Sequence, residues 1–386
     1  MTVVAGLHFQ RTFDIFGSVG LPDYRTHEIG DIFLTVTDQG IIGYMAQGGG
    51  GGQGMGVKGE LSDLFVGSFW AGTSPSYICN RDYNGLGAET YEWVVSDPEP
   101  NGRVREIGPA GSDESFQAIF TDEGHATPTP LMVEQTTLAF TDAPHSNYVI
   151  VEYRVTNQGP VAIPALYAGV YCDFDIGEDS TQNMGGTDPG RNMTYLYAPL
   201  GNYYGIVLLG NRTPQNLTVV NNPLYVYAEF MVSDQNKFDL LTGTLNHPIG
   251  KFNDDWSMLN SVVLDLEADG GQDVVAYALV YSSSLAELQT NADAAIASYN
   301  PVSPITGDTP VKVFSLGQNH PTPFNPSTNI RFTVDKTGPI DLSVYDVGGR
   351  KIRSLLQGSR EAGDHLFTWD GKDQSGSRVP SGMYFY

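Results

Sequence analysis

Ile340-Asp-Leu-Ser-Val-Tyr-Asp-Val-Gly-Gly-Arg350 carries the clearest signal of fold type in this chain of 386 residues. Its first half alternates apolar and polar residues at a period of two, which is typical of a half-buried strand. Its second half contains two glycines that can adopt positive φ, so it predicts a tight turn between strands. Ile330–Val334 and His365–Trp369 show the same alternation, and Met383–Tyr386 begins one more strand. The pattern predicts a small antiparallel sandwich.

The residues before this segment also carry strand signals. Tyr148–Thr156 is a long apolar run that ends in a turn, and Asp31–Thr37 followed by Ile41–Met45 predicts a hairpin. Further strands are predicted at Leu64–Trp70, Tyr167–Asp173, Tyr203–Leu209, Leu224–Val232 and Asp273–Val280. The body is therefore expected to be a large antiparallel β-sandwich.

One late helix interrupts this pattern. Ser284 and Glu287 form a capping box, apolar residues follow at helical spacing, and Pro301 ends the segment. We predict an all-β chain with an acidic body over residues 1–300, either undivided or split into two sub-domains near 140–147. A Pro-rich linker over 301–312 and an Ig-like domain over 313–386 follow.

Composition and charge narrow the class of protein. Charged residues make up only 17% of the chain and aromatics 11%, with 45 Gly and 23 Pro, the profile of an extracellular β protein. Residues 1–310 hold 11 Lys and Arg against 37 Asp and Glu, a net charge of −26, whereas residues 311–386 hold 9 against 7, a net of +2. Such an acidic body repels nucleic acid and anionic membranes, and no apolar stretch is long enough to span a bilayer.

Several short motifs follow one another towards the C-terminus. Their residues are Asn319, Pro321, Pro323, Phe324, Asn325, Pro326, Asp346, Gly349, Arg350, Trp369, Asp370, Gly371, Ser381 and Gly382. In order and spacing they resemble the C-terminal sorting domain (Por type) of type IX secretion cargo, which is closely similar to the Ig-like domain of flagellar hook-capping proteins. The body is similar, less sharply, to uncharacterised secreted bacterial proteins that carry such a tail.

This resemblance implies a partner and a location. The partner would be the secretion machinery of the outer membrane, and the protein would be extracellular or on the cell surface of a Gram-negative-type bacterium. No signal peptide opens the sequence and the last strand is short, so we expect the numbering to cover a processed or truncated chain.

An acidic loop is the best candidate for a ligand site. Asp173, Asp175, Asp179 and Asp188 lie in or just after Asp173-Phe-Asp-Ile-Gly-Glu-Asp179, where alternating carboxylates and a glycine bend would place several oxygens together. Calcium takes six to eight oxygen ligands, so calcium is the candidate cofactor. The alternative is a solvated loop whose side chains bond to their own backbone.

Two further groups of residues leave alternatives open. Cys79 and Cys172 could form a disulfide, which would stabilise an exported protein, or could be two buried thiols. Trp70, Trp93 and the tyrosines between them could form a sugar-binding or interface platform, or could belong to the sandwich core. Core packing is favoured.

Sequence signatures of catalysis are missing: there is no G-x-S-x-G elbow and no H-E-x-x-H motif. Our leading hypothesis is a non-catalytic exported structural protein that works in adhesion or assembles with itself into a filament or surface layer. The alternative is a secreted hydrolase or carbohydrate-binding module with the same tail.

Overall fold

The computed structural model describes most of the chain, and the statements below concern the described part. That part comprises residues 22–43, 52–81, 90–96, 102–108, 110–199, 201–226, 232–251, 254–299, 315–316, 324, 327–334, 337–360 and 363–386.

The body is built from strands, as the alternation predicts. In chain order they are β1 (Tyr24–His27), β2 (Ile32–Thr37), β3 (Ile41–Ile42), β4 (Met55–Val57), β5 (Leu64–Ser74), β6 (Tyr77–Cys79), β7 (Val94–Val95), β8 (Arg105–Ile107), β9 (Glu114–Thr121), β10 (Leu131–Ala139), β11 (Tyr148–Asn157), β12 (Ile163–Phe174), β13 (Met184–Asp188), β14 (Met193–Tyr197), β15 (Tyr203–Leu208), β16 (Asn216–Asn221), β17 (Ile249–Gly250), β18 (Trp256–Leu266) and β19 (Gly271–Ser282). The helices are α1 (Asn222–Tyr225), α2 (Asp234–Thr242) and α3 (Leu285–Ser298), with 3-10 turns at His145–Asn147, Ser180–Gln182 and Pro189–Arg191.

These strands form two antiparallel sheets. The first runs in the order β1-β2-β3-β5-β12-β18-β16, with β4 on β2 and β6 on β5. The second runs β17-β13-β14-β15-β19-β11-β10-β9-β7, with β8 on β9. The predicted hairpin of β2 and β3 is present, with Val36 opposite Ile42.

The main core lies between the two sheets. Phe69 on β5 of the first sheet stacks on Tyr153 on β11 of the second, with ring centroids 4.0 Å apart. Trp93 joins the same core and donates from Nε1 to the carbonyl of Phe69 at 2.9 Å. The body is therefore a β-sandwich, and the all-β class is confirmed.

The outer face of each sheet is covered by a helix. α3 packs Leu288, Ala292 and Ala295 on the second sheet, against a cluster that includes Tyr148 and Ile150 of β11. Because β11 also faces the main core through Val151, both of its faces are buried, which explains its apolar first half, Tyr148–Val151.

The late helix was predicted correctly. Ser284 caps it by accepting a hydrogen bond on its side chain from the Glu287 amide at 3.3 Å. The second half of the capping box is different, because the Glu287 carboxylate accepts from the Ser283 hydroxyl instead.

α1 and α2 were not predicted. The predicted strand Leu224–Val232 is wrong at its start, since Pro223 opens a helical turn that Asn221 caps. α2 packs Leu240 and Leu241 on the outer face of the first sheet.

Strand pairing crosses the predicted break near residues 140–147. β10 and β11, which flank that region, pair with each other from Leu131↔Asn157 to Leu138↔Ile150. Both sheets contain strands from before and after it. The alternative of two sub-domains is therefore not supported by the strand pairing. The linker proposed at 301–312 lies outside the described residues.

The C-terminal residues form a separate small sandwich. Its strands are β20 (Ser315–Leu316), β21 (Thr328–Val334), β22 (Gly338–Asp346), β23 (Lys351–Arg360), β24 (Gly363–Trp369) and β25 (Tyr384–Phe385). They pair as β20-β21-β24 and β23-β22-β25 around a core of Ile330, Phe332, Leu342, Val344 and Trp369. The four predicted strands are present, and β20 and β23 are additions.

Among the described residues, no helix combines the length and the apolar character that a membrane-spanning helix needs.

Candidate functional site

Three carboxylates converge where β12 ends and β18 begins. One oxygen from each of Asp173, Asp175 and Asp255 lies within 4.8 Å of the others. Asp173 and Asp255 are 6% and 5% exposed, while Asp175 is on the solvent side of the group. The arrangement combines two buried acids with one that solvent can reach.

Strand pairing fixes the position of Asp173, one of the two buried acids of this group. Asp173 lies next to Ser257 of β18, and Asn222 bridges the two residues. The Asn222 amide donates to Asp173 Oδ1 at 2.9 Å, and its carbonyl oxygen accepts from the Ser257 hydroxyl at 2.8 Å. The Asn222 backbone N–H donates to the carbonyl of Asp255 at 2.9 Å, so one asparagine positions both acids.

The loop after β12 is held by its own side chains. Asn183 is fully buried and exchanges two hydrogen bonds of 2.9 Å with the backbone of Ile176. Gly177 has φ of +82°, the left-handed conformation that the predicted glycine bend requires. The loop is therefore closed independently of any bound ion.

The structure brings together only two of the four predicted ligands. The Asp179 carboxylate caps the following 3-10 turn and accepts from Thr181 and Gln182. The Asp188 carboxylate pairs with Arg191 at 2.9 Å and accepts from Gln289 at 3.0 Å. These two acids behave as the solvated-loop alternative describes, and the third member of the group is Asp255 instead.

Electrostatic repulsion within the group is strong. Burial raises the pKa of Asp173 well above its usual range, and the charges of Asp175 and Asp255 raise it further. Burial and Asp255 also raise the pKa of Asp175. A divalent cation bound among the three carboxylates would offset their mutual repulsion.

Sequence reasoning missed Asp255 because it lies far from the acidic loop in the chain. Its signal was weak: the pair Asp254-Asp255 directly precedes a strand, and only the pairing of β18 with β12 places it beside Asp173.

The two cysteines remain thiols, the second of the two alternatives. Cys79 lies opposite Ala71 on one side of β5, and Cys172 lies opposite Gly67 on the other side. Two strand spacings and four residues separate them, roughly 16 Å, whereas a disulfide needs Cα atoms within about 7 Å.

Three aromatic residues of the tryptophan-rich region are core, as favoured, whereas Tyr91 is 38% exposed and Tyr83 lies outside the described residues. Trp70 and Trp93 are fully buried and Tyr77 is 5% exposed. An aromatic platform exists elsewhere: Tyr197 and Tyr203 stack in parallel with centroids 4.7 Å apart, and Tyr195 lies beside them with its centroid 6.1 Å from that of Tyr197. Its sequence signal was the tyrosine at every second position of Tyr195-Leu-Tyr197, followed by Tyr203.

Motif residues of the C-terminal domain serve its packing and turns. The ring of Phe324 lies 5.3 Å from that of Trp369, and the Asp346 carboxylate accepts from the backbone and side chain of Arg350 across the predicted turn. Asp370 pairs with Arg353 at 2.6 Å. Gly371 and Gly349 occupy left-handed turn positions, and Ser381 and Gly382 are exposed just before β25. The remaining motif residues, Asn319, Pro321, Pro323, Asn325 and Pro326, lie outside the described residues.

The C-terminal domain has recognisable relatives. Residues 321–386 match the model of the FlgD Ig-like domain. The basal-body rod modification proteins FlgD of Salmonella typhimurium and Salmonella typhi are 43% identical over 56 residues, 14% of this chain and 24% of theirs. The chain thus spans about a quarter of the length of these relatives.

Solved structures resemble the chain only distantly. The match to the Slr1438 protein of Synechocystis covers 71% of this chain and the full length of that protein, at 9% identity and a TM-score of 0.35. The heparan sulfate lyase HepC of Pedobacter heparinus covers 89% of this chain with 42% of its own, at 10% identity and a TM-score of 0.31. Likeness of this degree carries no argument about the body.

These matches confirm the Ig-like half of the resemblance and correct the predicted location. The expectation of an extracellular or cell-surface protein is wrong, because the domain on which it rested matches FlgD, and the relatives that share it are basal-body rod modification proteins. The sorting role and the outer-membrane secretion partner remain predictions.

Proposed function

We propose that this chain is a non-catalytic structural subunit of a basal-body type assembly, in which the Ig-like domain makes the contacts between subunits. The observation that carries the proposal is the match of residues 321–386 to the FlgD Ig-like domain. Of the two structural roles expected from the sequence, assembly is supported by this match, and adhesion draws no support from it.

An exposed apolar patch on the Ig-like domain suits such contacts. Val347 is 73% exposed, Met383 is 53% exposed and Phe385 is 43% exposed. Val347 is the first residue of the turn after β22, and the preceding residue, Asp346, lies opposite Tyr384 of β25. Phe385 is on the same side of β25 as Met383, because side chains alternate along a strand. We call these three residues the turn patch.

Replacing Val347 with Asp tests this surface, since a charge in an apolar contact opposes association. We expect the wild-type chain to show concentration-dependent association in sedimentation velocity and V347D to remain monomeric. Val161→Asp is the matched control, because Val161 is equally exposed at 73% but lies in the body.

Three results would overturn parts of the proposal. Wild-type particles that stay monomeric at high concentration would remove the assembly role, and association that V161D weakens as much as V347D would remove the turn patch. Clear turnover of any member of a polysaccharide and peptide panel would replace the non-catalytic assignment with the hydrolase alternative.

Calcium binding at Asp173, Asp175 and Asp255 is part of the same proposal. The ion would balance the repulsion that raises the pKa of Asp173, and oxygens of water and of the loop backbone would complete its coordination. Since the group joins β12 to β18, the ion would stabilise the sandwich rather than take part in a reaction.

A further inference from the structure

A groove lies along the edge of the second sheet, apart from the cation site and the turn patch. It has a volume of about 510 Å³ and is lined by β13, β14, β17 and Lys251. This volume falls within the roughly 300–1,000 Å³ of small-molecule sites. We call it the tyrosine groove.

Its floor is a tyrosine ring held over a glycine. Gly186 pairs with Tyr195 across β13 and β14, and the phenol end of Tyr195 lies over it. A Cβ on Gly186 would come within 2.8 Å of the Tyr195 hydroxyl and 3.0 Å of Cζ. Only a residue without a side chain lets the ring lie this low against the sheet.

One wall of the groove is fixed by tyrosine stacking. Tyr197 lies opposite Tyr203 in the register of β14 and β15, and their rings are parallel to within 1°. The Tyr197 hydroxyl points to the Met184 sulfur at 3.6 Å. Because Tyr203 covers one face of Tyr197, this ring cannot turn away from the groove.

The opposite wall is anchored on a tryptophan. Ile249 lies opposite Gly186 in the register and is 63% exposed. Gly250 packs directly on Trp256, whose Nε1 donates to the carbonyl of Lys251 at 2.9 Å. The Lys251 side chain is exposed at the end of this wall.

We propose that the tyrosine groove binds an uncharged oligosaccharide chain. A flat, rigid aromatic face stacks on the apolar face of a sugar ring, and aromatic side chains with a polar end suit a ligand that is part apolar and part hydroxyl. Burial raises the pKa of Tyr195, so its hydroxyl stays protonated and can both donate and accept hydrogen bonds.

Charge and hydrogen bonding favour this ligand over others. Residues 1–310 carry a net charge of −26, which disfavours polyanionic polymers and is compatible with uncharged chains. A Pro-rich peptide also stacks on tyrosine, but it offers mainly carbonyl acceptors and cannot satisfy the acceptor side of the tyrosine hydroxyls. Sugar hydroxyls serve both roles, and the Lys251 ammonium adds a donor.

Calorimetric titration of the full chain with cello-, chito- and xylo-oligosaccharides tests the proposal. We expect saturable binding of at least one of the three, weakened about tenfold in Tyr195→Ala through loss of the stacking face. Tyr195→Phe keeps the ring, so its affinity for the oligosaccharide should fall only about threefold. The control is Tyr167→Ala, another partly buried tyrosine, on the first sheet.

The variant Gly186→Ala tests whether the position of the Tyr195 ring matters, because it displaces the ring without removing any tyrosine. Its Cβ would push the far end of the Tyr195 side chain out of place while every tyrosine remains, so we expect binding to fall as in Tyr195→Ala, with the unfolding midpoint little changed. The proposal is wrong if the wild-type chain binds none of the three oligosaccharides, or if Tyr195→Ala and Gly186→Ala bind as tightly as Tyr167→Ala. Saturable binding of a Pro-rich peptide in their place would assign the groove to a protein ligand. Because the groove lies outside the Ig-like domain, none of these outcomes decides the assembly role.

Discussion

At the scale of single residues, the buried acids of the cation site set the conditions under which the body is most stable. A raised folded-state pKa means that the folded chain holds protons that the unfolded chain has already released. The stability from Asp173 and Asp175 is therefore present below their unfolded pKa of about 4 and is lost as the pH rises towards the folded values. A bound divalent cation would restore it at neutral pH.

We expect calcium to raise the unfolding midpoint of the body at neutral pH. When calcium is a hundredfold above its dissociation constant, the free energy of unfolding should rise by about 2.7 kcal/mol. The gain should shrink as the pH falls, because protons compete for the same carboxylates. Asp255→Asn should abolish it, and Asp179→Asn, in the same loop but outside the group, should not. Thermal unfolding with calcium or with a chelator measures this, and an equal gain in wild type and D255N would exclude the site.

The sequence predicted part of this site, and the reason for the remainder is physical. Local alternation identified Asp173 and Asp175, since both belong to one acidic loop. Asp255 and Asn222 come from segments that only the pairing of β18 with β12 brings close. Asp179 and Asp188 looked equivalent in the sequence, but turn capping and Arg191 engage them elsewhere.

At the scale of elements, α2 shows why hydrophobic periodicity in the sequence did not predict every helix. Its buried residues include Lys237 together with Leu240 and Leu241, so its apolar face is interrupted by a charge. The Lys237 ammonium donates to Asn80 at 2.8 Å and lies 5.4 Å from the centre of the Trp70 ring. These partners, which are distant in the sequence, make a buried lysine tolerable, and no local sequence pattern predicts them.

We expect Leu240→Ala to destabilise the body by about 2–5 kcal/mol, because Leu240 is fully buried against the first sheet and its loss leaves a cavity. Leu224→Ala, in α1 at 67% exposure, should change stability by less than about 0.5 kcal/mol. Urea unfolding followed by tryptophan fluorescence measures both. A similar small effect for the two variants would show that α2 does not stabilise the outer face of the sheet.

At the scale of the whole molecule, charge is divided between the two parts of the chain. Residues 1–310 carry a net −26 and the C-terminal residues 311–386 a net +2. Composition alone revealed this division, and alternation alone revealed the all-β class. The order of strands in each sheet was beyond the sequence, because it depends on pairings such as β5 with β12 and β11 with β19 between distant segments.

This division predicts the sign of the salt dependence of self-association. If subunits meet through the apolar turn patch, the acidic bodies repel each other as they approach, and salt weakens that repulsion, since the screening length falls from about 30 Å at 0.01 M to about 3 Å at 1 M. Association should then strengthen as salt is raised. If instead the positive domain of one copy bound the acidic body of another, salt would weaken association. Sedimentation velocity of the full chain across this range separates the two. The V347D variant, which adds a charge to the patch, should remain monomeric throughout the range if the turn patch is the contact.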